Sequence, residues 1–374
     1  MNGLVGFDAA ALVYAIAAII CAGLLSFALT PAVRVLAFKI NAIDMPKDGR
    51  RMHSHPIPRI GGLAIFIGFV TSMLIFCEFS DTVLSILIGG TILVVLGVVD
   101  DVRALNPWVK LIVQIFVGFV PVMLGTKIEF ITLFVGEPIG LQQYYLDIPI
   151  TVLWVVGLTN AVNLIDGLDG LACGVSAICC LSVCAVTILN AEWQFALITA
   201  ILFGACIGFL PFNSNPAKIF MGDTGALFLG YTMAVLSISG LFKVHAAFSF
   251  LVPLSIFGLP LFDTLFAIVR RLLRGKSPFS ADRGHLHHRL MDMGFGQKHS
   301  VRILYAICGI LGISAVMLSH PASYRAAIVI AAAVVIFIIN FIVFRYPNLR
   351  IHTGFNDEAE MESEHTKKDE KIEK

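Results

Sequence analysis

The chain has 374 residues, 58% of them hydrophobic and 14% charged, with a mean hydropathy of +0.89 and a formal net charge of +1. Soluble domains carry roughly 25% charged residues, so the composition excludes a soluble fold and describes an all-α polytopic membrane protein. No nucleic-acid partner is expected, and the eight cysteines lie in or beside apolar runs without metal-ligand spacing, as reduced packing residues.

At about 20 apolar residues per crossing, eleven spans are predicted, near 11–33, 60–77, 82–99, 107–125, 148–165, 171–189, 194–211, 225–241, 246–269, 301–319 and 325–344. The first follows MNGLVGFDA, with no basic leader region and no small-residue cleavage site, and is expected to stay as a span. Eleven crossings put the two ends on opposite sides. One set of loops holds 23 of the 26 Lys and Arg residues, and the other only Lys127, Lys243 and Arg325. The positive-inside rule then places the N-terminus outside and the C-terminus in the cytoplasm of a plasma (inner) membrane protein. The same parity brings every polar cluster to the cytoplasmic face. The longest outer loop, 126–147, alternates apolar and polar residues and is expected to form a small periplasmic or extracellular hairpin. Residues 1–350 read as one integral membrane domain, and 351–374, rich in charge and poor in apolar residues, as a disordered cytoplasmic tail.

The polar clusters carry the chemistry. Between the fifth and sixth spans, NAVNLIDGLDGLA places a carboxamide or carboxylate at every third position: Asn160, Asn163, Asp166 and Asp169. On one unbroken helix they would spread over half the circumference, at about −60° per step. Gly167 and Gly170 are expected to break the helix and let the aspartates curl into a polar cup at the membrane edge. Asp100 and Asp101 close the third span; alone, such a pair could simply stop it at the interface. Asp223, in PFNSNPAKIFMGDTG, could by itself N-cap the eighth span. Together, three acidic segments on one face resemble a site for a hard divalent cation, because Mg²⁺ takes carboxylates, waters and phosphate oxygens.

The facing inventory is cationic. It comprises Lys110 at the start of the fourth span, Lys47, Arg50, Arg51, His53 and Arg59 in the loop 39–59, and Arg283, His285, His287 and His288 in the loop 270–300. Arginine forks match phosphate oxygens, and histidine can ligate metal, donate to phosphate or move protons. A transition-metal site and a basic loop attracted to anionic lipid are the alternatives. Asp263 lies about two turns inside the ninth span, where an ionised carboxylate costs on the order of 3 kcal/mol unless paired. It is expected to face the bundle.

In this order, HSHPIPRIGG, GVVDD, NAVNLIDGLDGLA, PAKIFMGDTG and SPFSADRGHLHHRL resemble the motifs of the polyprenyl-phosphate N-acetylhexosamine-1-phosphate transferases, across nearly the whole chain. With Leu286 interrupting the histidines, HLHH is similar to the N-acetylglucosamine branch rather than to the phospho-N-acetylmuramoyl-pentapeptide transferases, the alternative within the family. The resemblance implies transfer of N-acetylglucosamine-1-phosphate, or a related N-acetylhexosamine-1-phosphate, from the UDP-sugar to undecaprenyl phosphate. UMP would be released, and the lipid-linked product would start a cell-envelope glycan such as teichoic acid or lipopolysaccharide. It also implies Mg²⁺, with Mn²⁺ as the alternative, and a homodimer, which is common in the family. Asp223 would ligate the metal, and Asp100 and Asp101 would form a catalytic pair near it; all three are expected both as metal ligands and as catalytic residues. Lys110 would contact phosphate. Gly167, Leu168, Asp169 and Phe220 would line the uridine pocket, with Asn163 and Asp166 beside it. Arg283, His287 and His288 would hold the diphosphate and sugar phosphate, with His285 and Arg59 in the same substrate-binding set and His287 also in the chemistry. Rivals from other classes are a transporter of phosphorylated solutes, which needs ionisable residues at midplane depth, and a metal-dependent lipid-phosphate phosphatase.

Overall fold

One helix that meets no lipid forms the axis of the molecule. In α8 (Gly222–Ser237) every residue except Asp223 is buried, and the chain continues through a buried π-helical turn, Ile238–Phe242. The structure is a computed structural model and describes residues 9–45, 56–131, 139–242, 250–275, 277 and 284–319. Lys47, Arg50, Arg51, His53, Arg283, the eleventh predicted span and the tail lie outside the described residues.

The helices that pack most extensively on α8 are α2 (Gly62–Phe76), α3 (Asp81–Val102) and α5 (Asp147–Ile165). Small residues set how close they come. A Cβ on Gly62 would lie 2.1 Å from the Gly225 Cα, and one on Gly97 would lie 2.4 Å from the Thr224 Cα. Backbones therefore touch, which is how helices associate where lipid removes the hydrophobic drive. Outside this layer, α4 (Pro107–Met123) leans on α3 and α5. On the other flank, α1 (Ala9–Lys39) and α7 (Trp193–Asn213) pair with each other and with α2, while α6 (Leu171–Leu189) bridges α7 to α12 (Gln297–Leu318).

Local chemistry explains the helix starts. Ser80 Oγ accepts from the Val83 N–H at 3.3 Å at the head of α3. Asn106 Oδ1 accepts from the Trp108 N–H at 2.9 Å, ahead of Pro107 at the first position of α4.

Seven helices among the described residues are long and apolar enough to cross a membrane, with α2 and α4 as shorter apolar helices. Leu24, Ile75, Val95, Phe116, Leu153 and Ile313 are among many large apolar side chains that point outward. This is a multi-pass membrane protein. The first eight predicted spans each coincide with one helix, and the tenth with α12. The ninth does not: it is two pieces, α9 (Leu251–Ile256) and α10 (Gly258–Leu273), joined at Phe257. Pro260 accounts for the break, because its ring lacks the N–H and opposes the carbonyl four residues earlier, that of Ile256.

In the loop 126–147, β3 (Phe130–Ile131) pairs antiparallel with β4 (Ile139–Gly140), and Lys127 Nζ meets Asp147 Oδ2 at 2.9 Å. At the opposite end of the bundle, two residues of β1 (Ile43–Asp44) pair with β2 (Ile57–Pro58).

Candidate active site

The site is built on the N-terminus of α8. Its first residue, Gly222, has φ +70, and a Cβ there would sit 1.8 Å from the Arg59 carbonyl oxygen. Only glycine fits that turn. The approach is locked by backbone bonds: Phe220 N–H donates to Pro58 O at 2.8 Å, and the Gly61 and Gly62 N–H groups donate to Phe220 O and Met221 O, both at 2.9 Å.

Asp101 then caps α8 from the neighbouring helix. Its Oδ1 accepts from the Asp223 N–H at 3.1 Å, and its Oδ2 accepts from the Thr224 N–H at 3.0 Å and Thr224 Oγ1 at 2.7 Å. Arg59 Nε lies 3.7 Å from Oδ1. Two otherwise orphaned N–H groups at a helix start are thus satisfied by an anion on the favourable end of the helix dipole.

Asp100, one residue earlier, points elsewhere. Its Oδ1 accepts from the Leu105 N–H at 2.7 Å, and its Oδ2 accepts from Lys110 Nζ at 3.0 Å. The same Nζ donates to Asp223 Oδ2 at 2.9 Å, so a single ammonium joins the carboxylates of α3 and α8. Asn163 of α5 hydrogen-bonds the Asp223 side chain from the third side. Of the three carboxylates expected to bind metal, Asp100 and Asp223 face one cation, whereas Asp101 has both oxygens engaged on α8. Among the described residues, no three His, Cys, Asp or Glu side chains form a metal cage by themselves.

The break between α5 and α6 forms the floor. Gly170 takes φ +77 at the start of α6, and the residues from Asp166 to Gly170 turn away from the α5 axis. Withdrawal from water, reinforced by the charges of Asp223 and Asp101, pushes the Asp166 carboxyl up to about 8. Asp169 turns toward the preceding loop of α8, where its Oδ2 accepts from Asn215 Nδ2 at 2.9 Å and from the Ala217 N–H at 3.0 Å. Leu168 is buried beneath.

Histidines close the cup. His287, on α11 (Leu286–Asp292), is 3% exposed, and its Nε2 is buried without a hydrogen-bond partner. A Cβ on Gly167 would lie 2.3 Å from that Nε2, so the imidazole rests on the glycine of the break. Desolvation and the neighbouring His288, whose ring centroid is 4.3 Å away, hold His287 down at about 3, so the ring is neutral near pH 7. His285, expected among the substrate-binding residues, is engaged by protein on both ring nitrogens. Its Nδ1 lies 2.9 Å from Asp263 Oδ2, and Arg271 Nη2 lies 3.5 Å from its Nε2. Asp263 also accepts from the Leu286 N–H at 2.8 Å, which pairs the carboxylate inside the ninth span and anchors α11 to α10.

Residues 83–241 match the model of glycosyl transferase family 4. A relative from Bacillus subtilis (strain 168), described as a "probable undecaprenyl-phosphate N-acetylglucosaminyl 1-phosphate transferase", is 42% identical over 305 residues, covering 81% of this chain and 84% of the relative. The chain belongs to the polyprenyl-phosphate N-acetylhexosamine-1-phosphate transferase family. It is a membrane phosphotransferase. A decaprenyl-phosphate N-acetylglucosaminephosphotransferase from Mycolicibacterium smegmatis is 33% identical over 350 residues, with 85% of each chain covered. A phospho-N-acetylmuramoyl-pentapeptide-transferase from Chlamydia trachomatis is 36% identical, over only 52% of this chain.

For this family member, the structure brings Asp100, Lys110, Asn163 and Asp223 into one hydrogen-bonded group, with Asp101 and Arg59 one layer behind. Gly167 and His287 meet, with His288 beside them. Phe220 is half-buried on the strap leading to Gly222. Sequence reasoning missed Thr224, whose place directly after Asp223 was an available signal. It also missed Asn215, Gln297 and Tyr305, which carry no such signal: Asn215 reads as a loop residue, Gln297 as a helix start and Tyr305 as an apolar-span residue.

Proposed function

We propose that this cup transfers N-acetylglucosamine-1-phosphate from UDP-N-acetylglucosamine to undecaprenyl phosphate. The observation that carries the reading is Lys110 joining Asp100 to Asp223, with Asn163, three residues before Asp166, on the same Asp223 carboxylate. The relatives' names supply the donor sugar and the polyprenyl class of acceptor. The basic loops support a cytoplasmic site, with the N-terminus and the 126–147 hairpin on the outer side. Limited coverage of the muramoyl-pentapeptide relative, together with HLHH, favours the N-acetylglucosamine branch. The clustering of charge at one end of the bundle disfavours a transporter.

In the reaction, an oxygen of the lipid phosphate bonds to the β-phosphorus of the UDP-sugar. The bond from that phosphorus to the oxygen bridging the α-phosphate breaks, and UMP leaves with the bridging oxygen and its electron pair. A phosphomonoester has a second pKa near 6, so much of the acceptor is already a nucleophile at neutral pH. Neutralising converging anions is the larger task. Lys110 supplies one positive charge, and Asp100 orients the lipid phosphate or takes its last proton. Asp223 is fixed by Lys110, Asn163 and the Asp101 cap. Neutral His287, with its proton on Nε2, donates that N–H to the sugar phosphate.

The residues fit a divalent cation. The carboxylates of Asp100, Asp101 and Asp223 outnumber Lys110 and Arg59, and Mg²⁺ needs only one or two protein carboxylates beside substrate phosphate and water. Asp100 and Asp223 would hold it, with Mn²⁺ as a substitute. When bound, it supplies charge neutralisation at the transferred phosphoryl group.

The test is UMP release by purified protein given UDP-N-acetylglucosamine, undecaprenyl phosphate and Mg²⁺, with Asp223→Ala as control. Metal-dependent UMP and a lipid-linked diphosphate sugar are expected, both lost in the variant. A folded protein that releases UMP from no UDP-sugar refutes the reading. A single displacement inverts configuration at phosphorus; retention would instead show an aspartyl-phosphate intermediate.

A further inference from the structure

Two walls of the cup are referenced to one helix. The first wall is α11, which carries His287 and runs into α12 through Met293–Gly296. The second is the Asp166–Gly170 break, and α12 grips it at two points. Tyr305 OH donates to the Gly170 carbonyl at 2.6 Å. Nearer the start of α12, Asn215 Nδ2 donates to Gln297 Oε1 at 2.8 Å and to Asp169 Oδ2 at 2.9 Å, so both protons of one amide tie α12 to the break. Below these grips, α6 and α12 lie in close contact. A Cβ on Gly174 would fall 1.9 Å from Tyr305 OH, Cys179 Sγ lies 3.7 Å from Cys308 Sγ, and a Cβ on Gly312 would fall 2.1 Å from Ser182 Oγ.

We infer that α12 fixes where the Asp166–Gly170 break sits against α11, with Tyr305 and Gln297 as positioning residues for the donor side of the cup. The inference rests on the transferase reading, in which the break and α11 border the UDP-sugar. Neither residue reaches the group formed by Asp100, Lys110 and Asp223. Their removal therefore loosens donor binding and leaves the charge-neutralising machinery in place. Interactions made equally in ground state and transition state change KM and leave kcat alone.

Tyr305→Phe is a clean perturbation. The Gly170 carbonyl also accepts the helical bond from the Gly174 N–H at 2.9 Å, so loss of the hydroxyl orphans no backbone group. The expected result is a KM for UDP-N-acetylglucosamine raised about tenfold, with kcat and the KM for undecaprenyl phosphate within about twofold of wild type. UMP binding measured by calorimetry should weaken by the same factor. Gln297→Leu should repeat the pattern, and Gln297→Glu, which keeps an acceptor oxygen for Asn215, should retain the wild-type donor KM.

Wild-type donor KM and UMP affinity in both Tyr305→Phe and Gln297→Leu overturn the inference. So does a joint decline of kcat, both KM values and the unfolding midpoint, which would mark an ordinary packing role. A wild-type protein that releases no UMP refutes the transferase reading itself, and an active wild type matched by both variants refutes the positioning role alone.

Discussion

Asp100 and Asp101 are chemically identical neighbours with different surroundings, and replacing each with Asn separates their tasks. In Asp101→Asn, an NH₂ group replaces one of two oxygens that together accept from the Asp223 N–H, the Thr224 N–H and Thr224 Oγ1. At least one of these donors then faces another donor, and Arg59 loses its counter-charge at 3.7 Å. A hydrogen bond to a charged group contributes about 1.5–3 kcal/mol, and a buried donor left unpaired costs about 1–3 kcal/mol, so a loss of about 3–5 kcal/mol is expected. In a thermal scan at fixed rate in detergent this lowers the midpoint by roughly 5–10 °C. Turnover falls as well, because Asp223 loses its seat. Asp100→Asn likewise sets an NH₂ against either the Leu105 N–H or Lys110 Nζ, but it relieves repulsion toward Asp223 at a part-exposed site, so the midpoint falls less than in Asp101→Asn, by about 2–5 °C, while UMP release drops at least ~100-fold. An Asp101→Asn protein with a wild-type midpoint and no turnover would refute the capping role and return Asp101 to the chemistry.

Lys110→Met leaves the Asp100 and Asp223 carboxylates without the ammonium that joins them, and UMP release should fall at least ~100-fold across a Mg²⁺ titration. Asp166, held at about 8 in the fold and near 3.9 when unfolded, binds its proton more tightly in the folded state. Stability of the substrate-free protein should therefore decline as pH rises between those values, by up to about 1.4 kcal/mol per pH unit, and Asp166→Asn should flatten that slope in pH-stepped unfolding scans. His287 has the opposite sign. Held at about 3 against about 6.5 unfolded, it is protonated first in the unfolded state, so acidification below pH 6.5 destabilises the fold, and His287→Gln should remove that share of the loss in the same scans.

The apolar runs and the charges that end them were readable because a carboxylate or ammonium beside 18 apolar residues is conspicuous. Asp100, Lys110, Asp223 and the Gly167 break were visible on that ground. The division of labour between Asp100 and Asp101 was not, since adjacent residues on a helix point about 100° apart and the sequence does not say which direction faces Lys110. Pro260 sat in plain view, yet a hydropathy window averages over it and joins α9 to α10. His285 looked like a ligand in a histidine cluster, and no local pattern announces its commitment to Asp263, 22 residues earlier on α10. Tyr305 lies 135 residues from Gly170, and no local pattern announces that pairing.

The burial of α8 decouples the reaction centre from the bilayer. Helices that touch lipid respond to hydrocarbon thickness by tilting, at a cost of fractions of a kcal/mol per ångström of mismatch. With only Asp223 leaving the interior, α8 has no lipid contact through which such a force could act directly. Membranes of different thickness can then shift α1, α4 and α10 at the periphery while the height of the Asp223 carboxylate stays referenced to protein alone. Lipid composition should govern how readily the long-chain acceptor arrives and leaves, and have little influence on the phosphoryl step once it is seated.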